Sequence, residues 1–161
     1  MDKDTIRYIE CGAGVRVPAS DSGGVAEFFD ESVGKISMKV VYDEDMKRLV
    51  ADSVQVTRTG RAAEVTGVKM RSVRVEEYLR TAGMHMAQIR SDNGEWKRAA
   101  EYLSDLENTT PSDVDVTAAR IYVLARIISG HPLKTVGRYL NVSQSTATRI
   151  VARARARGLV D

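Results

Sequence analysis

Three successive runs of apolar residues at helical spacing occupy residues 116–161 and constrain the fold more than any other feature. In each run the apolar side chains recur every three or four residues, which places them on one stripe of an amphipathic helix. The three stripes comprise Ile121, Leu124, Ala125 and Ile128, then Leu133, Val136, Gly137 and Leu140, and finally Ala147, Ile150, Val151 and Ala154. The sequence therefore predicts three helices that pack against one another.

Capping and turn residues set the limits of these helices. The first is predicted over residues 116–129. Pro132 suits the first position of the second helix, because its missing N–H costs nothing there. Asn141 tolerates the left-handed backbone that a tight turn requires. Ser143 then caps the third helix, which is predicted to stop at Gly158.

Positive charge is concentrated in the same region. Residues 116–160 carry eight Lys and Arg side chains and no Asp or Glu, a formal charge of +8. The remainder carries 16 basic and 22 acidic side chains, or −6, and the whole chain is +2. A basic block beside an acidic remainder is typical of a segment that binds a polyanion, although a solvated helical face gives the same pattern.

The outward face of the third helix carries amides, hydroxyls and guanidinium groups but no carboxylate. A helix that only filled a core would not need such a face. In the DNA major groove, Gln can bond adenine edges, Arg can bond guanine O6 and N7, and hydroxyls can reach either. The residues on this face are Gln144, Ser145, Thr148, Arg149, Ala152 and Arg153.

The stretch LKTVGRYLNVSQSTATRIV, residues 133–151, resembles the helix-turn-helix of bacterial and phage regulators. Gly137 stands where that family has a small residue, Asn141 where it has a turn glycine, and Val142 where it has an apolar turn residue. The family's apolar anchors are matched by Val136, Leu140, Ala147 and Ile150. The resemblance implies DNA binding, and it places the base-reading residues at Gln144, Ser145, Thr148 and Arg149.

A longer stretch, residues 130–160, is similar to the C-terminal ends of small actinobacterial proteins of unassigned function. In those proteins a β-containing N-terminal part, with a segment similar to residues 65–79, precedes the helix-turn-helix. This resemblance implies the same order of parts here, and it implies no known activity.

A second set of residues is predicted to contact DNA phosphates. They lie on or near the exposed surfaces of the second and third helices, and such contacts position a protein without reading sequence. The set comprises Lys134, Arg138, Ser143, Arg153 and Arg157. Arg155 is expected nearer the buried side, with its aliphatic stem over the edge of the core.

Residues 1–107 are predicted to form a β-rich domain with accessory helices. Alternating, β-branched runs predict strands, and acidic or glycine-containing segments predict the turns between them. The predicted strands cover residues 6–9, 15–17, 35–42 and 50–58, and the predicted helices cover 67–73, 75–81 and 96–106. The polar segment 108–115, which contains Pro111, is the predicted linker to a C-terminal domain at 116–161.

The expected fold class is α+β, with a β-rich N-terminal domain and a C-terminal three-helix helix-turn-helix domain. The predicted function is sequence-specific binding of double-stranded DNA, as a transcriptional regulator of bacterial or mobile-element origin. We expect a homodimer, because one helix-turn-helix offers little contact area. The rival hypothesis is an interaction or assembly adaptor that uses the helical domain to bind protein.

No enzyme, metal site or cofactor is predicted. Cys11 is the only cysteine, and no local pattern pairs it with His85 or His131. No apolar run approaches the roughly 20 residues that span a bilayer, and the N-terminus is charged, so a cytoplasmic protein without membrane contact is expected. Whether the N-terminal domain binds a small molecule is left open.

Overall fold

Two antiparallel sheets and six α-helices make up the part of the chain that the computed structural model describes, residues 6–60, 64–128 and 130–161. The protein is therefore α+β, as the sequence predicts. The strands are β1 (Tyr8–Gly12), β2 (Val15–Pro18), β3 (Gly24–Asp30), β4 (Gly34–Asp43), β5 (Arg48–Thr57), β6 (Gln88–Arg90) and β7 (Trp96–Arg98). The helices are α1 (Gly67–Ser72), α2 (Val75–Met86), α3 (Ala99–Leu106), α4 (Val114–Ile128), α5 (Pro132–Tyr139) and α6 (Gln144–Ala156).

The four-stranded sheet has the strand order β1-β2-β6-β7, so that the first hairpin pairs with a second one from the middle of the chain. The three-stranded sheet has the order β3-β4-β5 and is a simple meander. Along β4 the predicted inward side chains, Ile36, Met38 and Val40, are fully buried. The predicted hairpin connection is confirmed as well, since Asp43 pairs with Arg48 across the turn.

The expectation for residues 96–106 is wrong at its start. Trp96–Arg98 forms strand β7, and the helix begins only at Ala99. Trp96 pairs with Arg90 of β6, and its ring stacks on Arg16, whose Cζ lies 4.0 Å from the ring centroid. These contacts with the neighbouring strands determine the conformation of Trp96. The apolar spacing in the sequence, which predicts a helix here, does not.

The end of α2 also differs from the expectation. The helix was predicted to stop before Gly83, but it continues to Met86. Gly83 is buried, and a Cβ placed on it would lie 2.7 Å from Cγ2 of Ile128. This glycine therefore permits α2 and α4 to approach closely and does not end the helix.

One continuous cluster of buried side chains joins the strands to the C-terminal helices. It includes Val17 of β2, Met38 of β4 and Leu103 of α3, and it extends through Leu124 of α4 to Val151 of α6. Helix α4 contacts β1, β2 and β5 as well as α5 and α6. The placement of α6 is therefore coupled to the sheets through α4. Within the described residues, no helix has the length and apolarity needed to cross a membrane.

Candidate nucleic-acid interface

The three C-terminal helices pack as a trio with a tight turn between the last two. Helix α4 spans Val114–Ile128, two residues earlier at its start than predicted; Ser129 at its predicted end lies outside the described residues. Pro132 is at the start of α5, as predicted. Ser143 caps α6, since its Oγ accepts a hydrogen bond from the N–H of Thr146 at 3.2 Å.

The turn between α5 and α6 has the backbone that the sequence predicts. Asn141 has a φ of +52°. The N–H of Val142 donates to the carbonyl oxygen of Gly137 at 2.9 Å. A Cβ placed on Gly137 would lie 3.0 Å from the carbonyl oxygen of Val142. A small residue at position 137 therefore allows the turn to fold back against α5.

The buried stripe of α6 matches the expectation. Ala147, Val151 and Ala154 are fully buried, and Ile150 is 5% exposed. They pack in the same cluster as Val136 of α5 and Leu124 of α4. This stripe fixes which side of α6 faces outward.

The four residues predicted to read bases all lie on the exposed side of α6. Gln144, Ser145, Thr148 and Arg149 are each exposed. The hydroxyl of Thr148 donates to the carbonyl oxygen of Gln144 at 2.9 Å, so its oxygen remains able to accept a hydrogen bond. Arg149 forms no salt bridge within the described part of the chain.

Two predicted phosphate contacts, Arg153 and Arg157, are already engaged with carboxylates. Arg153 Nη2 lies 2.8 Å from Oδ1 of Asp115. Arg157 lies 2.8 Å from Asp113 and 3.2 Å from Asp115. The two aspartates precede residue 116 and so lie just outside the acid-free block. The free positive charge near α6 is therefore smaller than the +8 of the sequence suggests.

Asp113 has a second role at the start of α4. Its Oδ1 accepts hydrogen bonds from the backbone N–H groups of Asp115 at 2.9 Å and Val116 at 3.1 Å. These bonds satisfy two of the N–H groups that an α-helix leaves unpaired at its start. The same carboxylate thus caps α4 and holds Arg157 at the end of α6.

The remaining cations of the region divide into two groups. Arg120 is buried, with Nη1 at 2.6 Å from Asp92, and Arg155 donates to the hydroxyl of Tyr122 at 2.7 Å. Arg155 itself is exposed, with its guanidinium over the Tyr122 ring. Arg126, Lys134 and Arg138 are exposed and, like Arg149, form no salt bridge among the described residues. The hydroxyl of Ser143, the last predicted phosphate contact, caps α6 and also lies within hydrogen-bond distance of the hydroxyls of Ser145 and Thr146.

We expect the aspartate clamp, formed by Asp113 and Asp115 with the two arginines of α6, to make stability sensitive to acid. The guanidinium of Arg157 lowers the pKa of Asp113, and that of Arg153 lowers the pKa of Asp115. The pKa of each aspartate in the folded state lies below its unfolded value of about 4. The clamp therefore stabilises the folded state fully above about pH 4, and this stabilisation is lost as the pH falls further. The melting temperature, followed by circular dichroism, should drop between about pH 5 and pH 2.

A matched pair of variants separates the clamp from general acid unfolding. Asp115→Asn removes one clamp carboxylate and should flatten the acid-side slope of melting temperature against pH. Asp45→Asn removes a carboxylate from an exposed turn and should retain the wild-type slope. Equal slopes in all three proteins would contradict a role for the clamp.

The thiol of Cys11 does not have the environment of an activated nucleophile. It is half-buried, and burial is the main reason that its pKa is raised. A raised pKa lowers the fraction of reactive thiolate at neutral pH. Within the described residues, no group of His, Cys, Asp and Glu side chains could hold a metal ion.

Comparison of the chain with known protein families, with curated proteins and with solved structures finds no match.

Proposed function

We propose that this protein binds double-stranded DNA sequence-specifically, with α6 as the recognition helix in the major groove. The observation that carries the proposal is the division of α6 into a buried apolar stripe and an exposed face of Gln144, Ser145, Thr148 and Arg149 without a carboxylate. Amide and guanidinium groups near the start of a helix are the groups that read base edges. A transcriptional regulator of bacterial or mobile-element origin is the role that this activity fits best.

The salt bridges determine which of the predicted phosphate-binding cations are available to bind phosphate. Lys134 and Arg138 on α5 are exposed and have no carboxylate partner among the described residues. They can therefore bind phosphates without first breaking a salt bridge. Arg153 and Arg157 must exchange Asp113 and Asp115 for phosphate. We therefore assign the main phosphate contacts to Lys134 and Arg138.

Salt-dependent duplex binding tests this assignment. Each phosphate that a cation neutralises releases counterions, and the logarithm of affinity falls with the logarithm of salt with a slope of about −0.9 per contact. Lys134→Ala and Arg138→Ala should each weaken all duplexes alike and reduce the slope by about 1. Fluorescence anisotropy across a salt series measures both quantities.

Arg71→Ala is the matched control. Arg71 is exposed on α1, and its replacement removes one positive charge, as the two test substitutions do. It should leave the slope of duplex binding unchanged. A protein that binds no duplex at low salt would contradict the proposal and favour the adaptor hypothesis, in which the helical trio binds protein.

We also propose that two copies bind one site. A single recognition helix contacts few bases, whereas a pair can enter successive major grooves about 34 Å apart. The stoichiometry of the duplex complex, obtained in the same titrations, distinguishes one copy from two.

A further inference from the structure

A small cavity of about 160 Å³ lies where the three-stranded sheet meets the C-terminal helices. It is lined by β5, by α2, by the last turn of α4 and by the beginning of the segment that leads into α5. Leu49 and Ile127, which are almost fully buried, form the apolar part of its wall. Its location between these elements separates it from the exposed face of α6.

Three arginines from three different elements line this cavity. They are Arg48 of β5, Arg80 of α2 and Arg126 of α4. All three are exposed, and none forms a salt bridge within the described ranges. Among the described residues that line the cavity, one carries a carboxylate, Glu76.

Like charges that line one small cavity repel one another. The carbonyl groups at the end of α4 supply partial negative charge, equivalent to about half an elementary charge. Together with Glu76 they offset only part of three full positive charges. An anion in the cavity would balance the remainder.

The guanidinium group is a planar fork of N–H donors that matches the oxygens of phosphate. Three such forks at the wall of one cavity offer several N–H donors, and a tetrahedral anion offers several acceptor oxygens. We propose that the cavity lined by Arg48, Arg80 and Arg126 binds a phosphate group. The group belongs either to the backbone of bound DNA or to a small phosphate-bearing molecule, and it joins β5 and α2 to the helix-turn-helix.

Thermal unfolding in inorganic phosphate, compared with chloride at equal pH and ionic strength, tests the site. A ligand at ten times its Kd should raise the melting temperature of the wild type by about 3–6 °C. Phosphate also stabilises proteins generally because it is excluded from their surfaces. The informative quantity is therefore the difference in phosphate-dependent gain between wild type and variants, each measured against its own value in chloride.

Arg80→Gln and Arg48→Gln should lose most of this gain, because each removes one fork from the cavity. Arg71→Gln, a change of the same kind outside the cavity, should keep the wild-type gain. Equal gains in all four proteins would overturn the proposal.

Duplex binding in phosphate-free chloride buffer identifies the source of the group. If Arg80→Gln weakens all duplexes and lowers the salt slope by about 1, the phosphate belongs to DNA. If Arg80→Gln binds duplex as the wild type does but loses the thermal gain, the ligand is a free phosphate-bearing molecule. If no duplex binds at all, the proposed DNA-binding function fails, whereas the thermal comparison still decides whether the site exists.

Discussion

Replacing Arg149 with alanine is expected to reduce discrimination between the preferred duplex and its single-base variants by about 5- to 150-fold. This range corresponds to the 1–3 kcal/mol that one bidentate contact to a base contributes. Arg149 is exposed on the outward side of α6 and has no carboxylate partner among the described residues. Selection from a random duplex pool would first supply the preferred sequence, and competition binding would then measure the ratio.

Arg155→Ala is the control for this experiment. Arg155 lies on the same helix as Arg149, and its replacement by alanine also removes one positive charge. Its guanidinium, however, faces Tyr122. It should change affinity for all duplexes to a similar extent and leave their ratio intact. Equal loss of discrimination in both variants would show that Arg149 acts through overall charge and would contradict base reading by this residue.

Replacing Leu124 with alanine is expected to destabilise the protein by about 2–5 kcal/mol, because it leaves a cavity that the surroundings fill only in part. Leu124 is fully buried in α4 and belongs to the cluster that joins the sheets to α6. For a chain of this size the melting temperature should fall by roughly 4–20 °C. Urea unfolding followed by circular dichroism measures the free energy directly.

Val68→Ala is the matched control, since it also shortens an aliphatic side chain within a helix. Val68 is 75% exposed, and the change should stay within about 0.5 kcal/mol of the wild type. A Leu124→Ala protein as stable as the Val68→Ala protein would contradict the central position of α4 in the core.

The three C-terminal helices are predictable from the sequence because their signals are local. The apolar spacing, the cap at Ser143 and the left-handed turn at Asn141 each depend on residues within one or two turns of the chain, and each is confirmed. The strand alternation along β4 is local in the same sense. Such patterns carry their meaning without knowledge of distant partners.

The elements that the sequence does not predict are strands. They either pair with segments distant in the chain or lack a clear alternation of apolar and polar residues. Strand β3 was not predicted, because Val25 and Phe29 point to solvent on an edge strand and glycine occupies its start. Trp96 was assigned to a helix, although its partners in the sheet are Arg90 and Arg16. Short strands that depend on pairing with remote segments have little signal of their own.

For the candidate site, the sequence predicts which side of α6 faces outward, and it misses the ion pairs. The partners Asp113 and Asp115 lie about 40 positions before Arg153 and Arg157, so that nothing in the local pattern connects them. The cavity lined by three arginines was missed for the same reason. Its arginines come from three elements that only the fold brings together.

Asp113 gives the short segment before α4 a structural role beyond connecting two parts of the chain, because its carboxylate has two sets of hydrogen-bond partners. One carboxylate both completes the first turn of α4 and holds the last turn of α6. Asp113 therefore links the start of α4 to the end of α6, in addition to the contacts that the buried stripe of α6 makes. A substitution of Asp113 would therefore disturb the start of α4 and the end of α6 together, without altering any residue on the exposed face of α6.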